Sequence, residues 1–260
     1  MSGTEFIPGG EIVLRYARTG DDLEIEILGA DAPVHDSAIT SAVIAVRRIL
    51  ELPAAAGARV RLAAAHPADH LVPAPESVAD RSGFARRRDL LQMRRDLPVP
   101  ADHPLRSRPS LPVRAFVPGS ADEEAWVRTN NRSFASHPDQ GHETIATLHE
   151  HLAEPWFDAA GFLVADDPAR PGELAGFCWT KVHPATPEDP ILGEIYVIGV
   201  DPSHRGEGLG PGFVLAGLDH LAAAGIRDAV LYVDADNGPA VRLYDALGFA
   251  VHARRRVYTP

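Results

Sequence analysis

Residues 205–210 read Arg-Gly-Glu-Gly-Leu-Gly, between a strand-like run, EIYVIGV (194–200), and a helix-like run, PGFVLAGLDHLAAAG (211–225). This segment constrains the fold more than any other. Glycines at alternate positions open backbone conformations closed to other residues, so the chain can leave a strand by a tight turn and start a helix directly behind it. The first N–H groups of a helix have no intrahelical acceptor, and the helix dipole adds partial positive charge there. Strand, glycine turn and helix N-terminus in series make a cradle for phosphate or pyrophosphate. Two common cradles are excluded. A P-loop requires Gly-Lys-Ser/Thr after its second glycine, and none follows. The dinucleotide fingerprint requires a third glycine where Pro211 stands if the count begins at Gly206, or Phe213 if it begins at Gly208.

The turn sits in a long alternation of periods. PVRAF (112–116) reads as a strand. ADEEAWVRTNNRSFA (121–135), with Ser120 as a candidate N-cap, and HETIATLHEHLA (142–153) read as helices. Strands follow at 161–166, 173–183 and 193–200, then helix 211–225 closed by Gly225, strand 228–235, helix 238–247 closed by Gly248, and strand 249–258. Interleaved strands and helices predict an α/β layer. The N-terminal half echoes it. SGFARRRDLLQMRRDL (82–97) is similar to LGFAVHARRRVYTP (247–260), and it is preceded by a helix at 37–52 and strands at 11–18, 22–28 and 58–65. A tandem duplication with a shortened first copy is expected. No Gly-x-Gly occurs before residue 206, so the first copy is expected to be structural. Residues 97–112 carry five prolines and read as an extended linker. The expected organisation is 1–100, a truncated copy; 101–111, a linker; and 112–260, the active copy.

Composition removes several function classes. The net charge of −11 argues against nucleic-acid binding. No apolar run approaches the ~18 residues of a membrane helix, and the N-terminus lacks the basic-then-apolar pattern of a secretory signal. The single Cys178 excludes an internal disulfide and a cysteine metal cluster. The twelve histidines show no HExxH or paired ligand spacing, so no metal site is expected. These features predict a cytoplasmic protein without membrane or nucleic-acid partners, a monomer or weak dimer.

Arg205-x-x-Gly208-x-Gly210 directly after a strand resembles the acetyl-CoA pyrophosphate loop of the GCN5-related N-acetyltransferases. The wider C-terminal half is similar to the mycothiol synthase family, the tandem-copy branch of that group. The similarity lies in NNRSFASHPDQGHET (130–144), WFDAAGFLVADD (156–167), GFCWTKVHP (176–184), GEIYVIGVDPSHRGEGLG (193–210) and LYVDADNGPAVRLYDALGF (231–249). The resemblance implies a mixed sheet flanked by helices, acetyl-CoA as co-substrate, and acetylation of the cysteine amine of a cysteinyl-glucosaminyl-inositol. It also implies that the pantetheine arm lies along Ile198, Gly199 and Val200. The pyrophosphate would lie on Arg205, Gly206, Glu207, Gly208, Leu209, Gly210 and Pro211, and CoA would also touch Asn237, Gly238, Pro239, Ala240, Val241 and Arg242. Asp139, Lys181, Glu194 and Tyr232 match positions that hold the acceptor.

The residues support roles of their own. Alternation along 194–200 predicts that Glu194, Tyr196, Ile198 and Val200 share a face. Glu194 is the expected general base: an α-amino group has a pKa near 7.7–8.0, so a modest base suffices. Tyr244 is the expected general acid for the departing CoA thiolate, on a helix seven residues, about two turns, after Asn237. Asn237 is also suited to be that helix's N-cap. Lys181 is the only lysine in an arginine-rich chain. The arginine runs 86–88, 94–95 and 254–256 read as solvated strand faces. Two other readings stay open: a relative acetylating another small amine, such as an aminosugar or a secondary metabolite, and a non-catalytic acyl-CoA-binding module. The second would lack counterparts of Glu194 or Tyr244.

Overall fold

In β2 (Ile12–Thr19) and β3 (Asp22–Gly29) apolar residues recur at every second position from Ile12 to Tyr16 and from Leu23 to Ile27, and Ile12, Leu14, Leu23, Ile25 and Ile27 are fully buried. The strands pair antiparallel from Ile12↔Gly29 to Thr19↔Asp22, and β1 (Ser2–Phe6) joins β2 antiparallel. Helix α1 (Asp36–Leu50) lays Ala38, Ala42, Val46 and Ile49 along one stripe at the three-and-four spacing of an amphipathic helix. It leads into β4 (Arg59–Pro67), which runs parallel to β3. Helix α2 (Pro73–Arg81) and β5 (Ala85–Asp96) follow. The chain's last strand, β11 (Ala250–Thr259), inserts between β4 and β5, pairing with β4 from Ala253↔Pro67 to Tyr258↔Leu62, and Tyr258 is buried in this core.

The computed structural model describes residues 2–7, 12–19, 21–29, 34–67, 73–135, 140–187 and 189–260. The chain divides into Met1–Met93 with Val233–Val241 and Val251–Pro260, and Arg94–Tyr232 with Arg242–Ala250. A cut in the linker would have put 233–241 and 251–260 with the second unit. The β4–β11 pairing puts the last strand with the first.

The second unit carries β6 (Arg114–Ala115), α3 (Asp122–Ser133), α4 (Ile145–Leu152), β7 (Phe162–Asp166), β8 (Leu174–His183), β9 (Leu192–Val200), α5 (Gly210–Ala223), β10 (Asp228–Asp234) and most of α6 (Gly238–Ala246). Its strand order is β10-β9-β8-β7-β6. β8 is buried on both faces from Leu174 to Thr180, so it reads as a continuous apolar run. One face meets α5. A β-carbon on Gly217 would lie 2.6 Å from Cys178 Sγ and 2.9 Å from Ile195 Cδ1, so only glycine lets α5 sit this close. The other face meets α3 through Trp126, whose ring stands edge-on to Phe162, Phe177 and Trp179 at 5.6–5.8 Å. Each such pair adds about 0.5–1.5 kcal/mol beyond burial.

The echo between the halves is structural as well. The series hairpin, helix, parallel strand, helix, strand occurs as β2-β3-α1-β4-α2-β5 and as β8-β9-α5-β10-α6-β11. The joints match in detail. Gly83 and Gly248 both have φ near +85°, and the following Phe84 and Phe249 amides donate to Ala79 O and Tyr244 O. Ala79 thus stands where the second copy has Tyr244. Among the described residues the first series also has no counterpart of α3 and α4.

Some local expectations shift. Helix α3 has Ala121 as its N-cap. Ser120 Oγ accepts from Asp122 N (3.2 Å) and donates to Val117 O (2.7 Å), which fixes the turn before the helix. Helix α4 begins later than read, at a Thr144–Thr147 capping box. The short β1 and the polar α2 carry no strong periodicity and were not expected. The proline-rich connection is pinned: Arg106 forks onto Asp219 of α5 at 2.7 and 2.8 Å and reaches the carbonyls of Val99 and Pro100. Among the described residues no helix is long and apolar enough to cross a membrane.

Candidate active site

The glycine loop takes the conformation its composition requires. Gly206 and Gly208 have φ of +87° and +75°, and nothing lies within 4 Å of where a β-carbon would stand. Backbone conformation, not space, demands glycine at both. The N–H groups of Gly206, Gly208, Leu209 and Gly210 have no acceptor among the described residues, and Gly210 opens α5 with Pro211 in its first turn. Leu209 is buried and ties the loop to the body, while Arg205 is exposed. Four free N–H groups at a helix N-terminus form a fitting bed for a pyrophosphate.

A buried charge network holds this loop from behind. Asp201 Oδ1 accepts from Ser203 N, Ser203 Oγ and Arg170, and its Oδ2 accepts from Arg132 Nε at 2.7 Å. Burial opposes charge on Asp201, but Ser203, Arg132 and Arg170 outweigh it and hold the carboxyl far below the usual range. At Asp167 burial is likewise overcome by His204 and Arg170, holding its carboxyl at about 2. His204 bridges the network to the loop. Its Nδ1 lies 2.9 Å from Glu207 Oε2 and its Nε2 3.0 Å from Asp167 Oδ2, and these carboxylates raise its pKa.

Ahead of the loop, β9 loses one neighbour. Its parallel pairing with β10 ends at Ile195↔Leu231, while pairing with β8 continues to Val200↔Gly176. The β10-side edge from Tyr196 to Val200 therefore carries no strand. Ile198, Gly199 and Val200 lie on this open edge, suited to main-chain bonding with an extended ligand. Tyr232 is 47% exposed and stands just past the last β10 pair, where the gap opens.

The expected alternation along β9 fails because of a bulge. Trp179 pairs with Val197 and Thr180 with Ile195, so Tyr196 is an extra residue. Glu194 opposes Lys181 on the α3 face. Ile198 opposes Cys178 and Val200 opposes Gly176, and Cys178 and Gly176 meet α5. Glu194 and Tyr196 therefore do not share a face with Ile198 and Val200. The bulge sends the two ends of the strand to opposite sides of the sheet.

On the α3 face, Glu194 is 7% exposed and its Oε2 lies 2.6 Å from His183 Nε2. Lys181, although directly opposite Glu194, holds its ammonium over the Trp156 ring at 4.3 Å and the Tyr196 ring at 5.2 Å. Burial, then the Glu194 charge, raises the Tyr196 phenol. Beside Tyr196 a cavity of about 230 Å³ opens, walled by Trp126, Trp179, Tyr196 and Val197, with polar groups from Asn130, Gln140, Glu143 and His151. Asn131 clamps residue 143 through both its N–H (2.9 Å) and its carbonyl (2.8 Å). Glu143 accepts from Thr147 Oγ1 at 2.5 Å and lies 3.8 Å from His151, a charge pairing rather than a hydrogen bond. The pairing lowers Glu143, against burial, and raises His151. Sequence reasoning missed this pair and the cavity. One signal was available: all three tryptophans of the chain gather here.

The remaining candidates divide. Tyr244 is buried, and burial first, then Cys178, pushes its phenol up, so it stays protonated at neutral pH. The adjacent Leu243 approaches Gly210 at the start of α5. Tyr244 thus belongs with the α5 face, across the sheet from Glu194. A spacing of about two turns would set Asn237 on the same face as Tyr244, but Asn237 is exposed and Tyr244 is buried. Asn237 caps α6, where the chain is not yet helical, accepting from Ala240 N at 3.3 Å. Gly238, Pro239, Ala240, Val241 and Arg242 form the first turns of α6. Asp139 lies outside the described residues. Among those described, no group of three or more His, Cys, Asp or Glu is placed to hold a metal ion.

A model of the acetyltransferase (GNAT) family matches residues 125–249. The mycothiol acetyltransferase of Kocuria rhizophila is 45% identical over 181 residues, covering 68% of this chain and 59% of that protein. In eight such relatives the matched segments span between 53% and 61% of the relative's own length. A GCN5-related N-acetyltransferase from Sphaerobacter thermophilus superposes with a TM-score of 0.70 at 21% identity, over 97% of this chain and 78% of that one. A tandem GNAT protein from the clavulanic acid biosynthesis pathway gives 0.58 at 18% identity, over 96% and 78%. The fold is thus the tandem acetyltransferase fold, and residues 125–249 of this chain are similar to the acetyltransferase (GNAT) family.

Proposed function

We propose that this chain is an acetyl-CoA-dependent N-acetyltransferase acting on the cysteine amine of a cysteinyl-glucosaminyl-inositol, the last step of mycothiol synthesis. Residues 112–260 supply the chemistry and the first hundred serve as a structural copy. The observation that carries the reading is the combination of three features: four loop N–H groups without an acceptor among the described residues, the open β9 edge that follows from β10 leaving, and the buried Glu194 carboxylate on the same sheet face as an aromatic cavity. The donor's pyrophosphate rests on residues 205–211 and its pantetheine arm along 198–200. The acceptor enters from the α3 face, with Lys181 and Tyr232 around it. The amine nitrogen attacks the thioester carbonyl as Glu194 takes its proton, the C–S bond breaks, and the thiolate takes a proton from Tyr244. The proton match is reasonable in a dry site: burial pushes the neighbouring Cys178 thiol up to about 12, and a leaving thiolate beside it gains basicity for the same reason.

A second reading, acetylation of another small amine, is favoured by the length of the match to the Kocuria rhizophila protein, which covers 68% of this chain. Incubation with acetyl-CoA and either the cysteinyl pseudodisaccharide or a panel of aminosugars, read by mass spectrometry, separates the two. Acetylation of the pseudodisaccharide is expected. Product only from another amine would replace the first reading with the second.

A further inference from the structure

Glu194 is buried, and a buried carboxylate without a hydrogen-bond donor costs several kcal/mol. Its cross-strand neighbour by register is Lys181, yet that ammonium lies over Trp156 and Tyr196. Among the described residues, the group in hydrogen-bond contact with the carboxylate is His183, with Nε2 at 2.6 Å from Oε2. The side chain of His183 is 37% exposed and that of Glu194 only 10%. Tyr196 feels the Glu194 charge, and Glu143 and Glu154 act on Tyr196 in turn. On the β10 side, Val230 faces Glu194 in register. A nitrogen and an oxygen 2.6 Å apart must share a proton, since two facing lone pairs repel. If the carboxylate is to accept a proton from an amine it must be ionised, so the shared proton belongs to the imidazole.

We propose that His183 is the positioning residue of the reaction: as the neutral Nε2–H tautomer it donates to Glu194 Oε2 and leaves Oε1 to take the amine's proton. This rests on the acetyltransferase reading for its kinetic consequence but not for the tautomer. The proton balance is simple. One proton passes from the attacking amine to Oε1 and afterwards to water, and the Nε2 proton stays in place.

The first test is ¹⁵N NMR of the imidazole in the full chain at about pH 8.5, where an ordinary histidine is neutral. Protonated Nε2 and bare Nδ1 are expected, and a dominant Nδ1–H form overturns the proposal. The second test is kinetic. His183→Leu should lower kcat about tenfold, a barrier change of roughly 1.4 kcal/mol. It should move the acid limb of the rate profile to higher pH and leave the KM for acetyl-CoA within about twofold. His183→Gln, which can place an amide N–H near Nε2, should recover most of the loss. Wild-type kcat and pH profile in His183→Leu, or a His183→Gln variant as slow as His183→Leu, would refute the role. The tautomer is read without turnover, so failure of the acetyltransferase reading and failure of the His183 assignment appear as separate results.

Discussion

Gly208→Ala tests the pyrophosphate cradle with little steric confusion. The residue has φ of +75° and no atom within 4 Å of a new β-carbon, so alanine meets only its own backbone preference. A left-handed conformation costs an L-residue about 1–2 kcal/mol. The loop is exposed, so the free variant relaxes to negative φ and the fold barely registers the change. Binding must then restore the strained form before the N–H groups of Gly208, Leu209 and Gly210 converge. At about 1.4 kcal/mol per tenfold, the Kd for CoA should rise roughly 5- to 30-fold by titration calorimetry. Affinity for an acetylated pantetheine lacking the phosphates should stay unchanged. Gly57→Ala is a matched control: its φ is +73°, it has the same empty surroundings, and it lies outside the candidate site. The reasoning fails if Gly208→Ala binds CoA like wild type, or if Gly57→Ala weakens CoA equally.

Three further outcomes follow from the site. Glu194→Gln should reduce kcat/KM for the amine by about 10²–10⁴, the usual range for general-base loss, with the acetyl-CoA Kd nearly unchanged; a wild-type rate across pH would remove Glu194 as the base. Tyr244→Phe should lower kcat at constant KM for acetyl-CoA, and an unaltered kcat would show that the thiolate leaves unassisted. His204 is raised above its ordinary 6.5 by Glu207 and then Asp167, so its grip is complete below that value and fades as pH rises through the raised one. Acetyl-CoA affinity should therefore weaken as pH rises above neutral, and His204→Gln should flatten that slope; equal slopes in both proteins would detach His204 from the loop.

Much of the second unit is readable in the sequence because its signals are local. Glycines at 206, 208, 225 and 248 mark turns that the structure places at positive φ, and the periods between them give the right elements. The bulge at Tyr196 is different. No glycine or proline announces it, and it follows from how β8 and β9 settle between α3 and α5, so the face assignment of Ile198 and Val200 could not be read from alternation. The cavity is likewise assembled from α3, residues 140–143, α4, β8 and β9. Glu143 and His151, eight residues apart and separated by a helix start, carry no motif. The capping role of Asn237 was legible, but its shared direction with Tyr244 was not, because helical spacing was counted through a residue outside the helix.

The placement of β11 has a bearing on how such a chain is made. The first unit's sheet runs β4-β11-β5, so the strand between β4 and β5 is supplied by residues 250–259, made after every other strand of that sheet. Until β11 is made, β4 and β5 each keep an unpaired edge. Expressing residues 1–100 alone would leave those edges bare, a template for pairing with other chains. A circular permutant that joins residue 260 to residue 1 and opens the exposed connection near Asp102 would instead deliver β11 early.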